Sequence, residues 1–169
     1  MPSFERGTTT VTVRMEIFDQ DPINYRTPYL LVAQEPGDLG KSIDIPERAF
    51  VSLVVWDAEG IPDETVMEVV GTLLDSGAQY VCTWGTDCER VHDLVDASAF
   101  DVAADYDVDP AVMTTWHDDE PLQEAVDFFL TNATPDEAFE GKCTGAVAVV
   151  IGSDEYAETV RGVLRFLVS

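Results

Sequence analysis

Two hydrophobic patterns divide the chain near residue 49. Residues 10–18 alternate strictly between apolar and polar side chains, which predicts a half-exposed strand that is antiparallel or lies at a sheet edge. The turn residues 19–22 and the apolar run 28–33 predict a second strand that returns beside the first. Residues 35–48 combine prolines and glycines with charged side chains, which predicts a loop.

From residue 50 onward, short apolar runs alternate with helical patterns. The runs end at Trp56, Trp84, Trp116 and Ile151, and their continuous apolar character is typical of strands buried on both faces. The segment 63–76 has an apolar helical face, and Gly77 is placed to end that helix. A capping-box pattern at 86–89 predicts the start of a second helix, and the later helical patterns begin at Pro121 and before Tyr156.

This order of elements predicts one α/β domain over residues 1–169. We expect a three-layer sandwich with a mostly parallel sheet, Rossmann- or flavodoxin-like, in which 49–169 supply the strand–helix repeats. Residues 1–48 are expected to add a small N-terminal antiparallel β extension and a loop. The chain shows no internal repeat or linker that would divide it further.

All three tryptophans stand at the end of an apolar run, with a carboxylate within three residues. If the runs are successive parallel strands, the indoles and acids come to the edge where open α/β sheets bind ligands. Indoles at strand ends also commonly cap the core, so a structural role is the alternative. The residues predicted to bind a ligand or partner are Trp56, Asp57, Trp84, Asp87, Trp116, Asp118 and Asp119.

Cys88 is the first candidate for catalysis. It lies near a predicted helix N-terminus, which favours a thiolate, and His92 one turn later shares its face. With His92 or His117 as the base, this arrangement predicts a cysteine-dependent hydrolase or transferase. The neighbouring carboxylates disfavour a thiolate, and a small residue that packs the start of the helix is the alternative interpretation.

A metal centre is a weaker hypothesis for the same edge. Its carboxylates, Cys88 and the two histidines would suit zinc, or magnesium or manganese through the carboxylates alone. Their spacing matches no diagnostic ligand motif, and no glycine-rich phosphate loop occurs, so we predict no metal and no cofactor. The acidic segment 105–109 resembles the first five positions of a calcium loop, but Pro110 stands at the sixth position, where that loop requires glycine, so the segment does not predict a calcium site.

The acidic charge narrows the range of partners. The chain has 33 acidic and 9 basic residues, a net charge of −24, and residues 91–120 contain no Lys or Arg. Such a surface disfavours direct binding to nucleic acids or anionic membranes. It fits a protein adapted to high salt, an acidic face for a basic protein partner, or a mimic of the charge of DNA. The sequence does not indicate an oligomeric state.

The remaining features favour a cytoplasmic protein. No apolar stretch approaches the length of a membrane span, and the first residues lack the apolar core of a signal peptide. The three cysteines are an odd number, which is typical of free thiols in a reducing compartment.

Two segments resemble motifs of a known group of proteins. Trp84-Gly-Thr-Asp-Cys88 and Val112-Met-Thr-Thr-Trp-His-Asp-Asp-Glu-Pro-Leu122 are similar to the WGxDC and VMTTWHxDEPL motifs of small, uncharacterised bacterial proteins that share a domain of unknown function. The resemblance covers roughly residues 50–130. It implies no activity, and it assigns no catalytic or binding residue.

Together these patterns predict an interaction or ligand-binding module that uses the tryptophan- and aspartate-rich edge, with a protein or a small ligand as its partner. A hydrolase or transferase based on Cys88 or on carboxylate-bound metal is the first alternative. An acidic DNA-mimic inhibitor is the second.

Overall fold

A computed structural model of the protein describes residues 13–106 and 112–168, with side chains for 13–99 and 112–168. Within these residues it has six strands, four helices and short 3₁₀ turns at Pro36–Leu39 and Glu137–Phe139. The strands are β1 (Val13–Ile17), β2 (Thr27–Ala33), β3 (Phe50–Trp56), β4 (Ala78–Trp84), β5 (Met113–Trp116) and β6 (Gly145–Ile151). The helices are α1 (Asp63–Ser76), α2 (Cys88–Tyr106), α3 (Leu122–Thr131) and α4 (Asp154–Val168).

All six strands form one sheet in the order β1-β2-β6-β3-β4-β5. β1 pairs antiparallel with β2, and every other neighbouring pair is parallel. The predicted mostly parallel sheet with an antiparallel N-terminal addition is therefore confirmed. Residues 10–12 of the predicted first strand, and 107–109 of the acidic segment compared with a calcium loop, lie outside the described residues.

The helices cover the sheet in two layers, which confirms the three-layer sandwich. α1 and α2 pack against each other on one face, over a cluster that includes Phe50, Val54 and Leu73. α3 and α4 pack together on the other face, over a cluster that includes Leu53, Phe129 and Leu164. The faces are called the α1/α2 face and the α3/α4 face below.

The middle strands are buried on both sides, as their apolar runs predict. Every residue of β3 and β6 is buried. The one hydroxyl in this region, on Ser52, donates a hydrogen bond to the carbonyl of Val147 at 3.0 Å. A polar group this deep needs such a partner, because water cannot reach it.

Some local predictions were wrong. The helix predicted to follow a capping box at 86–89 begins one residue later than that pattern indicates, at Cys88. Asp87 precedes the helix with a left-handed conformation (φ 68°), and its carbonyl accepts the N–H groups of Arg90 and Val91. Pro121 precedes α3 instead of occupying its first position.

Among the described residues, no helix combines the length and the apolar character that crossing a membrane requires.

Gly77 ends α1 as predicted, and it provides a test of the fold. Its φ is 121°, and a Cβ there would lie 2.0 Å from the carbonyl oxygen of Arg48. We expect Gly77→Ala to lower the free energy of unfolding by roughly 1–3 kcal/mol, from backbone strain alone. Denaturant unfolding followed by circular dichroism measures the change.

Gly71 is the matched control, since it lies inside the same helix and an added Cβ would meet nothing within 4 Å. Gly71→Ala should raise the free energy of unfolding by about 0.5–1 kcal/mol, because alanine favours helix. Equal effects of the two substitutions would contradict the geometry described for Gly77.

Candidate functional site

The three tryptophans reach the same edge of the sheet, but not the same face. β3, β4 and β5 are adjacent and parallel, so their carboxyl ends are neighbours. In the register of the sheet, Val55 pairs with Trp84, and Thr83 pairs with Trp116. Because successive side chains alternate between faces, Trp56 and Trp116 lie on the α1/α2 face and Trp84 lies on the α3/α4 face. The indoles therefore do not form one binding surface.

Two of the indoles are used for packing. Trp56 is buried in the cluster under α1 and α2. Trp84 is half-buried, its Nε1 donates to the carbonyl of Glu120 at 2.9 Å, and its ring meets the edge of the Tyr156 ring with centroids 5.0 Å apart. Trp116 differs, because 43% of its surface is exposed.

Asp57 follows β3 directly, and it forms hydrogen bonds with the segments that follow β4 and β6. Its carboxylate accepts a hydrogen bond from the backbone N–H of Thr86 at 2.8 Å and another from the hydroxyl of Tyr156 at 2.9 Å. Partial burial raises the pKa of Asp57, but the bonds from Thr86 and Tyr156 together outweigh burial and lower it. Both oxygens of this exposed carboxylate are thus occupied by the chain itself.

The structure explains why the second position of the WGxDC segment, Gly85, is a glycine. A Cβ at this residue would lie 2.2 Å from the carbonyl oxygen of Trp56, and its φ is 123°. The close approach brings the chain after β4 against the end of β3, where the N–H of Ala58 donates to the carbonyl of Thr86 at 2.9 Å. Glycine is required here for packing between two loops.

Asp87 is held by Arg90, which the sequence patterns did not single out. The Arg90 guanidinium donates to Asp87 at 2.7 Å and to Asp63 at 2.5 Å, and it also reaches the carbonyls of Ala58 and Ile61. This arginine joins the starts of α1 and α2. The carboxylate of Asp87 is therefore engaged within the protein.

Cys88 is buried, with 1% of its surface exposed. Burial raises the pKa of its thiol and the carboxylate of Asp118 adds to that effect, while the backbone N–H of His117 acts in the opposite direction. The backbone is fixed as well, since the hydroxyl of Thr83 donates to the carbonyl of Cys88 at 2.9 Å. A protonated, enclosed thiol is typical of a packing residue.

His92 lies one turn after Cys88, but its ring nitrogens are engaged by other groups. Nδ1 lies 3.0 Å from a carboxylate oxygen of Asp93, and Nε2 lies 3.5 Å from one of Asp96. The imidazole packs at an angle of 60° against the ring of Trp116, with centroids 4.6 Å apart. His92 therefore supports the exposed indole.

His117 is also enclosed by its own neighbours. Nδ1 lies 2.6 Å from a carboxylate oxygen of Glu120, and Nε2 lies 2.9 Å from the hydroxyl of Thr115. The ring packs against Phe128 with centroids 4.8 Å apart. With both nitrogens partnered, the imidazole joins β5 to the start of α3.

Among residues 13–99 and 112–168, whose side chains the structure describes, no group of three or more His, Cys, Asp or Glu could hold a metal ion. Asp118 and Asp119 are exposed in the turn after β5.

Comparison with known families places the chain in a domain family of unknown function, DUF7684, which matches residues 33–165. The chain belongs to this family, which confirms the resemblance to proteins with a domain of unknown function. The match runs from the last residue of β2 into α4 and includes the ends of β3, β4 and β5. Neither the curated proteins nor the solved structures give a significant match.

The bonds to Asp57 predict a pH-dependent contribution to stability. Because the pKa of Asp57 is lower in the folded protein, its stabilisation is present above the unfolded-state pKa and is lost as the pH falls through the folded-state value. We expect Asp57→Asn to cost up to about 1 kcal/mol at neutral pH, a small effect because the carboxylate is exposed.

Unfolding measured from neutral to acidic pH should show the stabilities of wild type and Asp57→Asn converging in acid. Glu59→Gln is the control, since Glu59 is an exposed acid two residues away and should leave the profile unchanged. A stability difference that stays constant with pH would contradict the role given to the Asp57 carboxylate.

Alkylation tests the catalytic hypothesis for Cys88. In a background with Cys82 and Cys143 replaced by alanine, we expect slow reaction with iodoacetamide and a midpoint above the pKa of an unperturbed thiol, because Cys88 is buried. The pH dependence of the rate gives this midpoint. A midpoint below the ordinary value, raised by His92→Ala or His117→Ala, would instead support a thiolate nucleophile.

Proposed function

We propose that the protein is a protein-binding module that recognises a basic segment of its partner through the exposed end of β5. The surface, called the Trp116 patch, consists of Trp116, His92, Asp93, Asp96, Asp118 and Asp119. The observation that carries the proposal is the exposed indole of Trp116, held against His92 among carboxylates.

The ring of Trp116 is both exposed and oriented. Among the strands that the structure describes, β5 is the last of the sheet, with β4 as its neighbour on one side. On the α1/α2 face, His92 supports the indole, and Asp96 of the same helix accepts a bond of 2.6 Å from the hydroxyl of Thr114. A large aromatic ring that is fixed before binding loses little conformational entropy, which is typical of interface hot spots.

The charge of the patch favours a lysine or arginine side chain as its occupant. Four of the six patch residues are aspartates, and residues 91–120 supply no Lys or Arg to neutralise them. The face of an indole attracts a cation, and nearby carboxylates increase that attraction. The net charge of −24 would also attract a basic partner at long range.

The rest of the carboxyl edge gives less support to binding. The Asp57 carboxylate, the Trp84 indole N–H and both ring nitrogens of His117 already have partners within the chain. A ligand there would have to displace these bonds. We therefore propose that the binding surface is the Trp116 patch and not the whole tryptophan- and aspartate-rich edge.

We also propose that the protein acts in the cytoplasm. Support comes from Cys82, Cys88 and Cys143, which are buried, unpaired thiols. Thiols in this state are typical of a reducing compartment.

Replacing Trp116 tests the proposed interface. We expect Trp116→Ala to weaken the affinity for the physiological partner by about tenfold or more, the loss expected of a hot-spot residue. Affinity capture followed by titration of the purified partner measures the loss. The contact segment of that partner should contain Lys or Arg, and increasing salt should weaken binding.

Met15→Ala is the matched control, because Met15 is also an exposed apolar residue but lies on β1, at the opposite edge of the sheet. It should leave the affinity unchanged. Retention of the partner by Trp116→Ala would contradict the proposal, and competition by duplex DNA would indicate a DNA mimic instead.

A further inference from the structure

A cavity of about 570 Å³ lies at the amino end of the sheet, away from the Trp116 patch. Arg26 comes directly before β2, and Cys143 and Thr144 come directly before β6, so the cavity lies at the edge opposite the tryptophans. Its volume is in the range of small-molecule sites. The lining also includes Tyr25, Pro135, Glu137, Phe139 and Glu140.

Arg26 is the unusual member of this lining. It is 8% exposed, and its Nη1 is buried without a hydrogen-bond partner. Burial lowers the pKa of its guanidinium, while Cys143 and Asp21 raise it, but an arginine keeps its charge in proteins. A buried, charged donor with no partner is costly, so a group that pairs with it stabilises the protein.

The surrounding chain does not supply the missing anion. Asp21 is a buried acid with an electrostatic effect on Arg26, but its two carboxylate oxygens accept the N–H groups of Ile23 and Asn24 at 3.0 and 3.1 Å. The Cys143 thiol is neutral near pH 7, because burial raises its pKa to about 11. Among the described side chains, no carboxylate forms an ion pair with Arg26.

The rest of the lining indicates which anion would fit. Tyr25, Pro135 and Phe139 give apolar walls, and the Tyr25 ring is 66% exposed on a backbone with φ of 60°. Glu137 and Glu140 are exposed acids in the same lining. One buried positive charge beside two carboxylates matches a monoanion better than the double charge of a phosphate.

We propose that this cavity binds a small organic monocarboxylate, with the carboxylate paired to Arg26 and the apolar body against Tyr25, Pro135 and Phe139. The site is independent of the Trp116 patch. The two lie at opposite ends of the parallel strands.

Titration with simple carboxylates tests the site. The probes are benzoate, phenylacetate and hexanoate, compared with benzamide and inorganic phosphate, and binding is followed by thermal unfolding and two-dimensional NMR. We expect saturable binding of at least one carboxylate to the full chain, with resonance changes at Tyr25 and Thr144. Benzamide and phosphate should bind at least about tenfold more weakly, since each lacks either the charge or the shape that the cavity accepts.

Arg26→Met should abolish carboxylate binding, because it removes the cation that pairs with the ligand. A merely structural arginine would lower stability on substitution and leave the carboxylate affinity of the folded variant unchanged. Arg165→Met is the matched control, since Arg165 is exposed on α4 and bonds Glu16 at 3.2 Å. It should leave the carboxylate affinity unchanged.

A second variant tests carboxylate binding in the cavity if Arg26→Met does not fold. Replacing Glu137 and Glu140 together with glutamine removes two exposed charges from the lining, and it should strengthen carboxylate binding at least about twofold by reducing repulsion. An unchanged affinity in this variant would overturn the proposal. The same holds for an absence of binding by all three carboxylates, equal binding of benzamide, or a preference for phosphate.

Discussion

β6 is the last strand of the chain, yet it lies between β2 and β3 and buries all seven of its residues. Such a position requires apolar partners on both faces, and α1 and α2 on one side and α3 and α4 on the other supply them. The strand also joins the N-terminal segment to the rest, because β2 pairs with it in parallel over its whole length. Within the described residues, β2 is therefore part of the central sheet, and β1 is added beside it at the edge.

Polar groups at the carboxyl edge of this sheet satisfy one another. Asp57 accepts bonds from a turn and from a helix, and Arg90 fastens two helix starts through Asp63 and Asp87. The chain segments after the strands contain backbone N–H and C=O groups that no longer pair within the sheet. Hydrogen bonds such as those of Asp57 and Arg90 replace the water that would otherwise bond to these groups. An edge rich in acids and indoles can thus serve to hold the loops and helix starts together. Trp116 differs from the other two tryptophans because its side chain is exposed.

The sequence predicts most of this fold, since apolar runs and helical spacing place β3, α1 and α4 close to their observed bounds. It brings the three tryptophan-bearing strand ends to one edge only on the condition that the runs are successive parallel strands, because the sequence leaves the strand order open. It does not predict the partners of side chains far apart in the chain, such as Asp57 and Tyr156, because no local pattern encodes their distance. The face of each indole follows from strand register, which the sequence leaves open. The sequence does not predict the role of Arg26 for a similar reason. A single basic residue before an apolar strand is usually exposed to solvent, and the burial of Arg26 depends on residues far away in the chain.

The buried guanidinium of Arg26 and the exposed indole of Trp116 use the same acidic chain in opposite ways. At the Trp116 patch, the carboxylates and the net charge of −24 act together and attract a cation. At Arg26, the chain has 33 acids available and its neighbour Asp21 is tied to backbone N–H groups, so the arginine keeps an unpaired donor. Burial removes the water that would weaken the attraction between Arg26 and an anion, so it strengthens a short-range ion pair. In so acidic a protein, a site for a carboxylate depends on one close, desolvated cation, whereas a site for a cation also gains from the charge of the whole surface.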